Sequence, residues 1–179
     1  MREPILRTLV FRRAIDTIAV LLLLFVIYRI FIAPRVVPEA SSYSAPRVTY
    51  ATLTGKPFVL PQHRGRVVFL DFYASWCGPC KLALPLVERY ARAHPEVDVV
   101  PVDVGEPRGI VAAFAREQRL RDVALDPQTL SQGFFQINGF PTLVVIDPQG
   151  RVRATWTGFS PAVELNMGRA ESALQRRAS

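Results

Sequence analysis

The stretch YASWCGPCKLAL, residues 73–84, holds both cysteines of this 179-residue chain, Cys77 and Cys80. Two thiols set two residues apart can be half of a metal site, a structural strut or a redox couple. Structural zinc wants four ligands. There is no second cysteine pair, and His63 and His94, in a turn and at a helix end, read as solvated surface residues. A strut across so short a loop removes little chain entropy. Redox chemistry remains. RVVFLDFYA, just upstream, is a continuous β-branched and aromatic run, as expected for a strand covered on both faces. A turn after that strand delivers Cys77 to the start of a helix, where unpaired N–H groups and the dipole stabilise a thiolate. Cys80 follows one helical turn later, within reach of a disulfide.

The flanks extend this strand–helix step into an alternating pattern. VTYATLTGKPFVL reads as two short strands around the turn at residues 54–57. The helix that starts at the cysteines runs to about residue 93 with Pro85 in its interior, which calls for a kink. EVDVVPVDV is a second buried strand, and RGIVAAFAREQRL has helical spacing at Ile110, Val111, Phe114 and Leu120. A less regular piece leads to the strand PTLVVID, and PQG at 148–150 turns the chain into an antiparallel partner, RVRATW. SPAVELNMGRAESALQRR closes as a helix with Ser160 as N-cap and Pro161 at its first position. The order predicts an α/β domain, a central mixed sheet with helices on both faces.

These residues resemble a known family. FLDFYASWCGPCKLALP is similar to the active-site segment of thioredoxin, and GFPTLVVIDPQGRV to the thioredoxin loop in which a proline follows a cis peptide bond. The hairpin before the core and the long segment between Val104 and Gln136 resemble the membrane-anchored TlpA/ResA/CcmG branch. The resemblance covers about residues 47–176 and implies a thioredoxin fold and thiol:disulfide oxidoreductase activity. It makes Cys77 the nucleophile, Cys80 the resolving thiol, Pro141 the cis proline beside the pair and Trp76 an aromatic shield. Phe140, with Gly78, Pro79 and Thr142, would line the groove for an unfolded substrate segment; core packing is the alternative for Phe140, a plain surface aromatic for Trp76. Ala83 stands where TlpA-type members often carry Glu, and INGFPTLV lacks the acidic residue of cytochrome-maturation members.

Asp71 interrupts an apolar strand six residues before Cys77, and a buried unpaired carboxylate is expensive. Its functional reading is a proton acceptor for Cys80, through a water, with a pKa raised by desolvation; a surface-facing or capping residue is the alternative. Lys81 could lower a thiol pKa, or simply be solvated.

Location rests on RRAIDTIAVLLLLFVIYRIFIAP. Residues 17–28 carry no charge and the apolar run resumes at 30–33 after Arg29, close to the roughly 20 residues a membrane-spanning helix needs. Arg2, Arg7, Arg12 and Arg13 precede the run, so positive-inside bias predicts a cytoplasmic 1–13, a transmembrane anchor over 14–33 and an extracytoplasmic (periplasmic) remainder. A cleavable leader is the alternative, disfavoured by the lack of a small-x-small step. Residues 34–46, rich in Pro and Ser, read as a linker and 47–179 as the thioredoxin-like domain. The formal charge is +7, but the sixteen Lys and Arg after residue 46 are scattered among twelve acids, without the basic, aromatic-interleaved run of a nucleic-acid binder. Nucleic acid is set aside, and no metal or cofactor beyond the cysteine couple is expected.

The leading expectation is a tethered dithiol reductase of protein disulfides. Gly78-Pro79 supplies no charged or hydrogen-bonding side chain to a thiolate, so the potential should lie nearer about −270 mV than about −120 mV. Such a reductase implies a transmembrane electron donor of the DsbD/CcdA kind. A disulfide oxidase or isomerase, and a non-enzymatic binding scaffold, are the competing readings.

Overall fold

The computed structural model describes residues 3–29 and 42–176. It divides into two compact units, residues 1–33 and 34–179. In the first, helix α1 covers Glu3–Ile27. Its charge-free stretch is confined to 17–27, and the side chains of Leu21, Leu22, Leu23 and Leu24 are exposed. Among the described residues no helix is long and apolar enough to cross a membrane. The continuation at 30–33, on which the expected span depends, lies outside the described residues, as does most of the expected linker.

The second unit is built on one eight-stranded mixed sheet in the order β1-β8-β7-β4-β5-β6-β2-β3. Its strands are β1 (Tyr43–Ser44), β2 (Thr49–Thr52), β3 (Phe58–Val59), β4 (Val68–Tyr73), β5 (Asp98–Val104), β6 (Ala124–Asp126), β7 (Thr142–Ile146) and β8 (Arg151–Thr157). Among the described residues, four α-helices accompany them: α2 (Gly78–Ala93), α3 (Arg108–Gln118), α4 (Leu130–Phe135) and α5 (Val163–Gln175). At the centre, β4 pairs in parallel with β5 and antiparallel with β7, and every residue of β4 is buried.

Strand alternation divides the core. Val68, Leu70 and Phe72 point to one face, with Val102, Val104, Val144, Ile146 and Phe135. Phe69 points to the other, beneath α2 and α5, where Val87, Tyr90, Met167 and Leu174 pack. Asp71 and Tyr73, by the same alternation, belong to the α2 face. Burial of such side chains contributes about 1.5–3 kcal/mol apiece, so the register that fixes β4 also fixes where Asp71 and the turn after Tyr73 must lie.

Three local expectations change. The sheet recruits Tyr43–Ser44, which pairs with Val152 and Arg151 of β8, and Arg151 donates to the Ser42 hydroxyl and carbonyl; the fold therefore begins upstream of residue 47, inside the expected linker. Helix α5 is capped at Ala162 rather than Ser160. The Ser160 hydroxyl instead accepts from the Ala162 N–H, and its carbonyl from Val163, a turn that delays the helix by two residues. The irregular segment before β7 contains β6 and α4.

Candidate active site

Chain direction places the cysteines. β4 ends at Tyr73, residues 74–77 turn, and α2 begins at Gly78 with Cys77 as N-cap, its sulfur accepting the Cys80 N–H at 3.2 Å. The pair is joined as a disulfide with Cα atoms 5.3 Å apart. Cys77 is 5% exposed and Cys80 fully buried, so an attacking partner meets Cys77. Gly78 and Pro79 are exposed. Proline at the second helical position costs no hydrogen bond, because the first N–H groups of a helix are unpaired in any case.

The loop before β7 meets this turn. The Phe140–Pro141 peptide bond is cis. Phe140 packs against the cluster that contains Cys77 and Cys80, and its ring centroid lies 6.0 Å from that of Trp76, edge to face. Trp76 is 71% exposed, so together these rings form an apolar surface beside the sulfurs. Thr142 does not join them. It is fully buried, and its hydroxyl donates to the Gly139 carbonyl at 2.7 Å and to the Thr157 hydroxyl at 3.1 Å. It holds the loop rather than lining a groove. The Lys81 ammonium sits 6.0 Å from the Phe114 ring.

Asp71 is 2% exposed and its Oδ2 meets no hydrogen-bond partner among the described residues. Burial, and secondarily the charge of Glu88, push its pKa up to about 7. The carboxyl borders a small cavity shared with Ala83, Pro141, Trp156, Ser160 and Asn166. At about 20 Å³ it has room for a single water. Glu88, also buried, is 3.4 Å from the Arg121 guanidinium and 3.9 Å from that of Arg92.

A second acidic site went unread in the sequence. Asp103 of β5 is fully buried, and the Glu106 carboxylate accepts from both the Ser75 N–H, at 2.5 Å, and the Ser75 hydroxyl, at 2.6 Å. The criterion that singles out Asp71, an acid inside an apolar strand, applies equally to Asp103 in EVDVVPVDV; Glu106, in a turn, carries no sequence signal. The histidines are less solvated than expected. His63 pairs with Asp98 at 2.8 Å. The ligating atoms of His94, Glu96 and Glu171 lie within 4.8 Å of one another, an arrangement accounted for by His94 pairing with both acids and Tyr90 donating to Glu171.

The family model described as thioredoxin-like matches residues 65–152. The thiol-disulfide oxidoreductase ResA of Geobacillus thermodenitrificans is 30% identical over 154 residues, 82% of this chain and 88% of that protein. ResA of Bacillus subtilis is 30% identical over 156 residues, 85% and 86% of the two chains. The chain belongs to the ResA-type thioredoxin-like family. Among solved structures, a protein assigned as the thiol:disulfide interchange protein DsbE of Chlorobium tepidum superposes with a TM-score of 0.70 at 28% identity, covering 76% of this chain and 99% of its own. StoA of Bacillus subtilis superposes with a TM-score of 0.59 at 26% identity, covering 69% and 97%. As a ResA-type protein it is a thiol-disulfide oxidoreductase, and Cys77–Cys80 is the one cysteine pair in its sequence.

Proposed function

We propose that this oxidoreductase is a membrane-tethered, extracytoplasmic dithiol reductase of protein disulfides. The observation that carries the reading is Cys77, the more accessible sulfur, at the N-cap of α2 with no charged side chain between it and Cys80. The helix N-terminus favours the Cys77 thiolate, while Gly78-Pro79 adds nothing that would overstabilise it and turn the protein into a strong oxidant. The Cys77 thiolate attacks one sulfur of a substrate disulfide and expels the other as thiolate, which takes up a proton. Cys80 then loses its proton to Asp71 through a water in the cavity, attacks the Cys77 sulfur and releases the second substrate thiol. Two electrons pass from the dithiol to the substrate, and the Cys77–Cys80 disulfide remains.

Recharging from outside the cytoplasm calls for a transmembrane donor of the DsbD/CcdA kind, and an anchor over 14–33 would hold the domain near it and raise their effective concentration. The exposed leucines of α1 and the arginines before them support that anchor. Trp76 and Phe140 form the surface along which a substrate segment lies, with Pro141 buried behind them.

Equilibration with glutathione buffers tests the direction. The expected potential is near about −270 mV; a value above about −150 mV would replace the reductase with an oxidase. For topology, a phosphatase fused after Ser179 should be active, and an active cytoplasmic reporter at the same place would overturn the compartment.

A further inference from the structure

We propose that Asp103 and Glu106 form a carboxyl pair that shares one proton and clamps Ser75, so that both act as positioning residues for Cys77. The inference rests on Cys77 being the attacking thiol.

The geometry begins with β5. Val102 and Val104 point into the core on the Phe72 face, so Asp103 points to the α2 face, in register with Tyr73 of β4 on one side and Leu125 of β6 on the other. It is fully buried there, and neither carboxyl oxygen meets a donor among the described residues. Gly105 then turns the chain at φ +86°, a conformation that suits glycine; an added Cβ would also come within 3.2 Å of Thr129 Cγ2. That turn brings Glu106 onto Ser75, whose N–H and hydroxyl both donate to it. Ser75 lies two residues before Cys77, in the loop that carries the sulfur to α2.

Two carboxylates offer each other only acceptors. A proton on Asp103 supplies the missing donor to Glu106 and removes the buried one of two neighbouring like charges. Burial, then the hydrogen bond and charge of Glu106, push the Asp103 pKa up to about 8, which keeps it protonated at neutral pH. Tyr73, across the ladder, stacks on Phe114 of α3 with centroids 5.5 Å apart, and its hydroxyl is pushed up by burial and by Asp103, Asp71 and Glu106. The nearby cations are occupied. Lys81 of α2 lies over the Phe114 ring, and Arg108 of α3 donates to the Thr52 and Leu53 carbonyls. The clamp therefore holds the Cys77 turn with one net negative charge, which opposes the thiolate to a fixed degree.

The test is the pH profile of Cys77 alkylation by iodoacetamide in the reduced, full-length protein. Glu106→Gln removes the charge and should lower the Cys77 midpoint by about half a unit to one unit. Ser75→Ala removes a donor that offsets that charge and should move the midpoint the opposite way. Asp103→Asn, whose amide can still donate to Glu106, should keep the wild-type midpoint but abolish a second inflection near the Asp103 ionisation. Mere loosening of the turn would not give shifts of opposite sign. Shifts of the same sign, no shift, or a second inflection retained in Asp103→Asn would overturn the clamp. Insulin reduction by the wild-type protein separates the two claims: activity with unshifted variants removes the clamp alone, and shifted variants without wild-type activity remove the reductase alone.

Discussion

Asp71 and Asp103 lie on adjacent strands, on the same face of the sheet, with Tyr73 acted on by both, yet burial treats them differently. Asp71 borders a cavity with room for a water, and the charge that perturbs it belongs to Glu88, an acid ion-paired with two exposed arginines. Asp103 meets a second carboxyl that is itself bonded to the Ser75 backbone. A buried acid with a route for water can pass its proton on. One sealed against another acid keeps its proton and spends it on geometry. On the roles proposed above, the same residue type, displaced by one strand, is a proton carrier in one place and a brace in the other.

The largest expected effect breaks this symmetry in turnover. Asp71→Asn should slow resolution of the mixed disulfide by about 10²-fold, at the low end of what a positioned base contributes. It should also flatten the rise in activity expected of the wild type through about pH 7, the value to which burial pushes the Asp71 pKa. Asp103→Asn should change turnover at pH 7 by less than about threefold, since it leaves the base in place. Single-turnover kinetics with a Cys77 mixed disulfide from pH 6 to 9 measures both. Equal losses in the two variants would mean that both acids serve one proton path.

Stability comes next. The folded pKa of Asp71, about 7, stands above the unfolded value near 4. Between these, the folded protein holds a proton that the unfolded chain has released, so stability falls as pH rises from about 4 to about 7 and the deficit is complete above that. Asp71→Asn should remove it, raising stability at pH 8 by on the order of a few kcal/mol and converging with wild type near pH 4. For Asp103 the sign is the same and the window extends to about 8. Denaturant melts at pH 4, 6 and 8 check both; a wild-type stability that rises from pH 4 to 7 relative to Asp71→Asn would show that Asp71 is a paired carboxylate.

The sequence displays one of these acids and hides the brace because of where the periodic signal lies. β4, α2 and β7 are long and apolar enough to announce themselves, and WCGPC with its downstream GFPT sets the fold. β6 spans three residues and α4 six, too short for any period. Helix α4 is held instead by the Asp126 carboxylate, which accepts from the Leu130 and Ser131 N–H groups. Asp103 was visible by the same rule as Asp71. Its significance depends on Glu106, a contact across 31 residues of chain to Ser75 that no local pattern encodes. Thr142 shows the reverse: adjacency to Pro141 suggests a surface, whereas β7 register buries it.

The smallest effect isolates the neighbour of Asp71. Glu88 contributes less than burial to the raised Asp71 pKa, and its partners Arg121 and Arg92 are more than half exposed, so their pairing is worth under about 1 kcal/mol. Glu88→Gln keeps the side chain's volume and removes one negative charge. Asp71 should then ionise more readily, and the midpoint of the activity profile should move down by a few tenths of a pH unit, about 0.5 kcal/mol at 1.36 kcal/mol per unit. The Asp103 inflection, for which the charged neighbour is Glu106, should stay where it is. A downward shift at Asp71 alone marks two electrically separate sites. A shift of both would show that Tyr73 couples them into one titrating network, and the division between carrier and brace would then give way to a single proton-sharing cluster behind Cys77 and Cys80.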